Sequence, residues 1–136
     1  MNYGLLRLGN HTFALPVSTV REVLQQPVIS PVPLAPELLA GMVLFRGEVL
    51  PVFETGPLLD AGKPSAARAR VVVVQHNSVF AGLAADHASI TAGTPVASGA
   101  SGFFLPQALD LPSGRVAVLN VPALFQQFET CLSPTP

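Results

Sequence analysis

Few side chains in this 136-residue sequence carry the chemistry that catalysis needs. The three histidines are His11, His76 and His87, and Asp86 beside His87 is the one place where a carboxylate adjoins an imidazole. Such a pair can serve as acid and base, so Asp86/His87, with His76 as a further candidate, is what a ligand-binding or hydrolytic β-barrel would use. Neighbours on a strand point to opposite faces, however, and His11 and His76 fall at expected hairpin turns, where a solvated structural role is ordinary. No Cys/His spacing suits zinc, no glycine-rich loop is of the phosphate- or dinucleotide-binding kind, and there is no Gly-x-Ser-x-Gly elbow. Glu22, Glu37, Glu48 and Glu54 are scattered over turns and edges without a pairing that spacing requires. The expectation is a protein that is not an enzyme and uses neither metal nor cofactor. What remains is a set of isolated charges at turns, Arg21-Glu22 and Arg46-Gly47-Glu48, in an apolar background, the anatomy of a surface that binds another protein.

Composition narrows the partners. Seven Lys and Arg against eight Asp and Glu give a net charge of -1, which leaves no basic footprint for nucleic acid. Apolar residues make up 49% and charged ones 11%, and the mean hydropathy is +0.50, yet Pro, Gly or Ser breaks every candidate membrane span. Residues 87–109 lack Asp, Glu, Lys and Arg but are rich in small polar and turn-forming residues, so direct membrane insertion is not expected. No secretory leader is visible at the start, and the lone Cys131 fits a reducing, cytoplasmic setting. The length suits one domain, residues 1–136.

Fourteen prolines leave little room for long helices and make strands the default. Residues 3–16 read as a hairpin turning at Gly9-Asn10, residues 41–53 as a second turning at Arg46-Gly47, and residues 71–85 as a third turning at Asn77-Ser78, with Val71 to Val74 buried on both faces. Residues 20–24 are a short strand or one helical turn, and 27–36 an extended connector held by its prolines. Residues 54–70 read as a surface loop with a helical turn at 57–61, and 93–114 as loop-rich. After a strand at 115–119, Asn120 is placed to cap a terminal helix that turns Leu124, Phe125, Phe128 and Leu132 to one face. About nine strands with frequent turn signals predict an all-β barrel or sandwich.

In these segments the sequence resembles the CheW family of chemotaxis coupling proteins. Residues 6–33, LRLGNHTFALPVSTVREVLQQPVISPVP, are similar to that family's opening, and GMVLFRGEVLPVFE at 41–54 resembles its Gly-Val-x-Asn-Leu-Arg-Gly-x-Val-x-Pro-Val-x-Asp pattern. RVVVVQHNSVFAGLAADHAS and SGRVAVLNVPALF follow in the family's order. The resemblance implies two intertwined five-stranded SH3-like β-barrels with a short C-terminal helix. It further implies a non-catalytic adaptor that joins chemoreceptor cytoplasmic tips to the regulatory domain of a CheA-type histidine kinase at membrane-associated arrays. Glu22, Gly41, Phe45, Arg46 and Gly47 match the positions that contact partners or shape that surface. Leu44 stands where Asn is usual and Glu54 where Asp is. Ala85 and Ala88 replace Val, which predicts a less filled second core. Such departures fit either drift or an adaptor of another motility pathway, such as one serving pili or surface movement.

Overall fold

The structure, a computed structural model, describes residues 2–54, 56, 59 and 70–132. Among the described residues, eleven strands and one α-helix follow in chain order: β1 (Asn2–Leu8), β2 (His11–Pro16), β3 (Val20–Gln25), β4 (Leu39–Phe45), β5 (Glu48–Phe53), β6 (Arg70–His76), β7 (Val79–Ala85), β8 (His87–Ala92), β9 (Thr94–Ala97), β10 (Phe104–Leu111), β11 (Gly114–Leu119) and α1 (Val121–Leu132). The three expected hairpins form. At Arg46-Gly47 (φ 50° and 80°) and at Asn77-Ser78 (φ 55° and 76°) both turn residues are left-handed, the geometry whose twist suits a two-residue hairpin.

The segment read as loop-rich at 93–114 instead contains β9 and β10. Its prolines sit where a ladder tolerates them: Pro106 lies within a register shift of the β10–β11 pairing, and Pro95 is on β9, which pairs on one side only. The helical turn expected at 57–61 lies outside the described residues except for Leu59, which is buried.

Two sheets result. The first has the order β8-β1-β2-β11-β10-β9. Its two ends, β8 and β9, are separated in sequence by Gly93 alone, so they are halves of one bent strand that pairs with β1 before the bend and with β10 after it. A Cβ on Gly93 would stand 3.2 Å from Leu109 Cδ2, a tight contact that glycine at the bend avoids. Counted this way the sheet is a closed barrel of five strands. The second sheet, β3-β6-β7-β5-β4, closes differently. The chain leaving β3 doubles back so that Ser30 and Met42 exchange two backbone hydrogen bonds of 2.8 Å. The barrels interlock because the chain lays down β1 and β2, completes the whole second sheet, and returns through Asp86 to finish the first.

Strand alternation divides the apolar residues into three cores. Tyr3, Ala14, Leu109, Val116 and Val118 fill the first barrel. Val43, Phe45, Leu50, Val52, Val71 and Val73 fill the second. A larger layer lies between them, joining Leu6, Leu8 and Phe13 of the first sheet to Phe53, Val72, Val74 and Leu83 of the second. The four-valine run is thus apolar at every position because Val71 and Val73 face one core while Val72 and Val74 face the other. Ala85 and Ala88 lie against the shared layer, so the missing methylenes fall there and not in the second barrel's own core as the sequence led us to expect.

Helix α1 seals that layer. The Asn120 side-chain oxygen accepts the Ala123 N–H at 3.2 Å, the expected cap. Leu124, Phe125 and Phe128 are buried, and the Phe128 ring stacks on Phe53 with centroids 3.9 Å apart. Leu132, expected on the same face, is instead half-exposed.

Candidate protein-binding site

Closure by a returning connector leaves a seam on the second barrel between β3 and β4. A groove of about 390 Å³ runs along it, lined by Glu22 to Gln25 on one side, Val43 and Leu44 on the other, and Pro27 and Val28 at its end. Three aliphatic side chains stand in solvent nearby: Val28, Leu44 and Val49 are 83%, 67% and 61% exposed. Leu44 and Val49 are directly paired across the β4–β5 hairpin, so their side chains share a face.

Arg46 borders this apolar strip. The left-handed turn carries its side chain back over the Phe45 ring, 5.0 Å from the centroid, and its Nη2 donates to Glu22 Oε1 at 3.4 Å. This pair spans the seam from the β4–β5 turn to β3. Both partners are largely solvated, so the attraction amounts to less than about 1 kcal/mol and its chief effect is to orient the guanidinium. On the other side of Glu22, Arg21 sits in a β-bulge and its Nε donates to Gln75 Oε1.

The five positions taken from the sequence therefore divide. Glu22, Arg46 and Gly47 are at the surface, whereas Phe45 is buried in the second core against Phe80, with centroids 6.0 Å apart, and supports Arg46 from below. Gly41 is buried as well. Its φ is +155°, and a Cβ there would stand 2.5 Å from the Ser30 carbonyl oxygen and 2.8 Å from Ile29 Cγ2. Gly41 is thus the place where the closing connector crosses β4, and it shapes the seam without presenting a side chain to a partner.

Sequence reasoning missed Val28, Leu44 and Val49 as a strip. The signal was present but masked: in MVLF and GEVL apolar residues occupy inward and outward positions alike, which reads as a strand buried on both faces.

The acid and histidines considered for chemistry are dispersed. The Asp86 carboxylate accepts the Gly9 N–H at 2.7 Å, and its own N–H donates to the Arg7 carbonyl at 3.0 Å. Asp86 thus pins the crossing between barrels to the β1–β2 turn. His76 is half-buried and leans on Phe125 with centroids 5.7 Å apart, whereas His11 is exposed and stacks on Phe13 at 6.4 Å. Among the described residues no group of three or more His, Cys, Asp or Glu is gathered for a metal ion. Cys131 packs at the edge of the shared layer, where burial pushes its thiol pKa up. No described helix is long and apolar enough to cross a membrane.

Known proteins share this fold. The chain is similar to the scaffolding protein TtCheW from Thermoanaerobacter tengcongensis, whose crystal structure superposes with a TM-score of 0.71 at 19% identity over 88% of each chain. In sequence it is 35% identical over 81 residues to the protein PilI of Pseudomonas aeruginosa, a match covering 59% of this chain and 46% of that protein. It is also 35% identical over 81 residues to the protein FrzA of Myxococcus xanthus, covering 59% of this chain and 51% of that protein. Each alignment thus takes in only about half the length of the curated relative. The family model of the CheW-like domain matches residues 2–129, nearly the whole sequence, and the chain belongs to that family.

Proposed function

We propose that residues 1–136 act as one unit, a non-catalytic adaptor that couples receptors to a CheA-type histidine kinase in chemotaxis-type signalling. The observation that carries this reading is the seam of the second barrel. It offers an exposed aliphatic strip of Val28, Leu44 and Val49 beside an oriented Arg46–Glu22 pair, on a CheW-like fold. An apolar centre with a charged rim is how protein interfaces combine affinity with register. The partners are the kinase regulatory domain and the cytoplasmic tip of a methyl-accepting chemoreceptor, met at membrane-associated arrays in the cytoplasm. No bond is made or broken. The adaptor holds two partners in a geometry through which their conformational equilibria are coupled.

The test is calorimetric titration of the chain against the regulatory domain of each CheA-type kinase in its own cell, and against receptor-tip peptides, with Arg46→Glu and Leu44→Asp in parallel. Saturable binding is expected, weakened about tenfold by Arg46→Glu and more by Leu44→Asp. Binding that both variants leave unchanged removes the seam from the interface, and no binding to any such kinase or receptor removes the adaptor reading.

A second reading, an adaptor of another motility pathway such as one serving pili or surface movement, is favoured by Leu44. The family pattern usually has Asn at this position, and here the side chain is 67% exposed, so a polar contact is exchanged for an apolar one and the preferred kinase changes with it. The same titration separates the two by which kinase binds.

A further inference from the structure

The inward rows of the first barrel change character along its axis. On β1, Tyr3 and Leu5 belong to or pack on the apolar core, and the next residue of that row, Arg7, stands at the mouth. The corresponding row of β2 passes from buried Ala14 to exposed Thr12, and β8 contributes Ser89 and His87. The result is a depression of about 460 Å³ with an apolar floor of Leu5, Leu111 and Val116. Arg7, His87 and Arg115 line its polar wall.

Among the described residues no carboxylate lines the depression, in a chain whose acids outnumber its lysines and arginines eight to seven. Among the described residues neither Arg7 nor Arg115 forms an ion pair, although Arg115 stands opposite Asp110 in the β10–β11 ladder. Arg7 is paired in register with Thr12 on one ladder and His87 on the other, so a hydroxyl and an imidazole share its face of the sheet. Guanidinium and hydroxyl donors on one wall match the planar or tetrahedral oxygens of an oxyanion. The size is that of a small-molecule site.

We propose that the mouth of the first barrel binds a small organic oxyanion, a carboxylate or phosphate head group on a short apolar body. The head is held by Arg7 and Arg115, with His87 and Thr12 beside them, and the body rests on Leu5, Leu111 and Val116. This site belongs to the barrel that does not carry the adaptor seam, so it stands or falls independently of the proposed function.

The test is NMR titration of the full isotope-labelled chain with inorganic phosphate, acetate and hexanoate in a low-salt buffer. Saturable shifts confined to β1, β2, β8 and the β10–β11 turn are expected. Hexanoate should bind about tenfold more tightly than acetate because its methylenes reach the floor. Whichever of phosphate and acetate binds more tightly names the head group, and either ranking supports the site. Arg7→Gln with Arg115→Gln should abolish the shifts while leaving the rest of the spectrum in place, and Arg7→Lys with Arg115→Lys should retain weaker binding. Shifts that survive the glutamine pair, that scatter over the surface, or that fail to saturate by about 50 mM overturn the proposal.

Discussion

The two barrels meet the same problem, how to close a five-stranded sheet, in two ways. The first closes through the chain itself: β8 and β9 are one strand bent at Gly93, with hydrogen-bonded neighbours on both sides of the bend. The second closes through a connector that touches β4 in a single bridge at Ser30 and Met42, with an exposed ion pair across the gap. Closure by continuity joins the wall of the first barrel through hydrogen-bonded neighbours all the way round. Closure by a returning connector leaves a groove, and exposed aliphatic side chains stand beside it. The region least constrained by its own ladder is thus the one free to present a surface to another protein.

The comparison breaks most decisively at what the barrels share. Phe128 is 3% exposed and its ring is stacked on Phe53 at 3.9 Å and packed on Phe125 at 5.7 Å. Phe128→Ala should cost about 3–5 kcal/mol in urea unfolding. Because the shared layer joins both sheets, the loss should appear as one cooperative transition at lower denaturant. Two separate transitions would show that each barrel stands on its own core and that the layer is only an interface.

The next effect separates the two closures. Gly41→Ala places a Cβ 2.5 Å from a backbone oxygen at a φ of +155°, where the connector must shift; a cost of about 2–3 kcal/mol is expected. At Gly93 the nearest atom is Leu109 Cδ2 at 3.2 Å, the end of a side chain that can yield by tenths of an ångström, so Gly93→Ala should cost about 1 kcal/mol. Equal losses in thermal unfolding would contradict the claim that the connector approaches Gly41 more closely than Leu109 approaches Gly93.

Much of this was legible from the residues, for identifiable reasons. Hairpins announced themselves where turn residues interrupt apolar runs, as at Arg46-Gly47 and Asn77-Ser78. The helix was readable because Asn120 and the Leu124, Phe125 and Phe128 spacing agree. Replacing that cap by Asn120→Ala should cost about 1 kcal/mol by chemical denaturation, since the Ala123 N–H then loses its partner. The β9 and β10 strands were hidden because glycine, proline and serine are frequent in residues 93–114 and mask the alternation, although each strand pairs with its neighbour in sequence, β9 with β10 and β10 with β11. Within the candidate site, Arg46 and Glu22 were visible as charges in an apolar context. That they meet was not visible, because 24 positions separate them and only barrel closure brings them together.

The smallest expected effect on stability is the most informative about function. Arg46→Gln removes a contact whose partners have side chains 73% and 42% exposed, so unfolding should shift by less than about 0.5 kcal/mol. Glu22→Gln should be equally mild, and the pair should couple by a similarly small amount in a double-mutant cycle on stability. The same cycle measured on binding to the kinase regulatory domain should give a larger coupling, because docking excludes water from the seam and screens the pair less. If the coupling is as small in the complex as in the free chain, Arg46 and Glu22 are a solvated surface pair and nothing more. If it grows severalfold while the stability cycle stays flat, the pair is a feature whose energy appears only when a partner covers it, which is the physical content of calling the seam an interface.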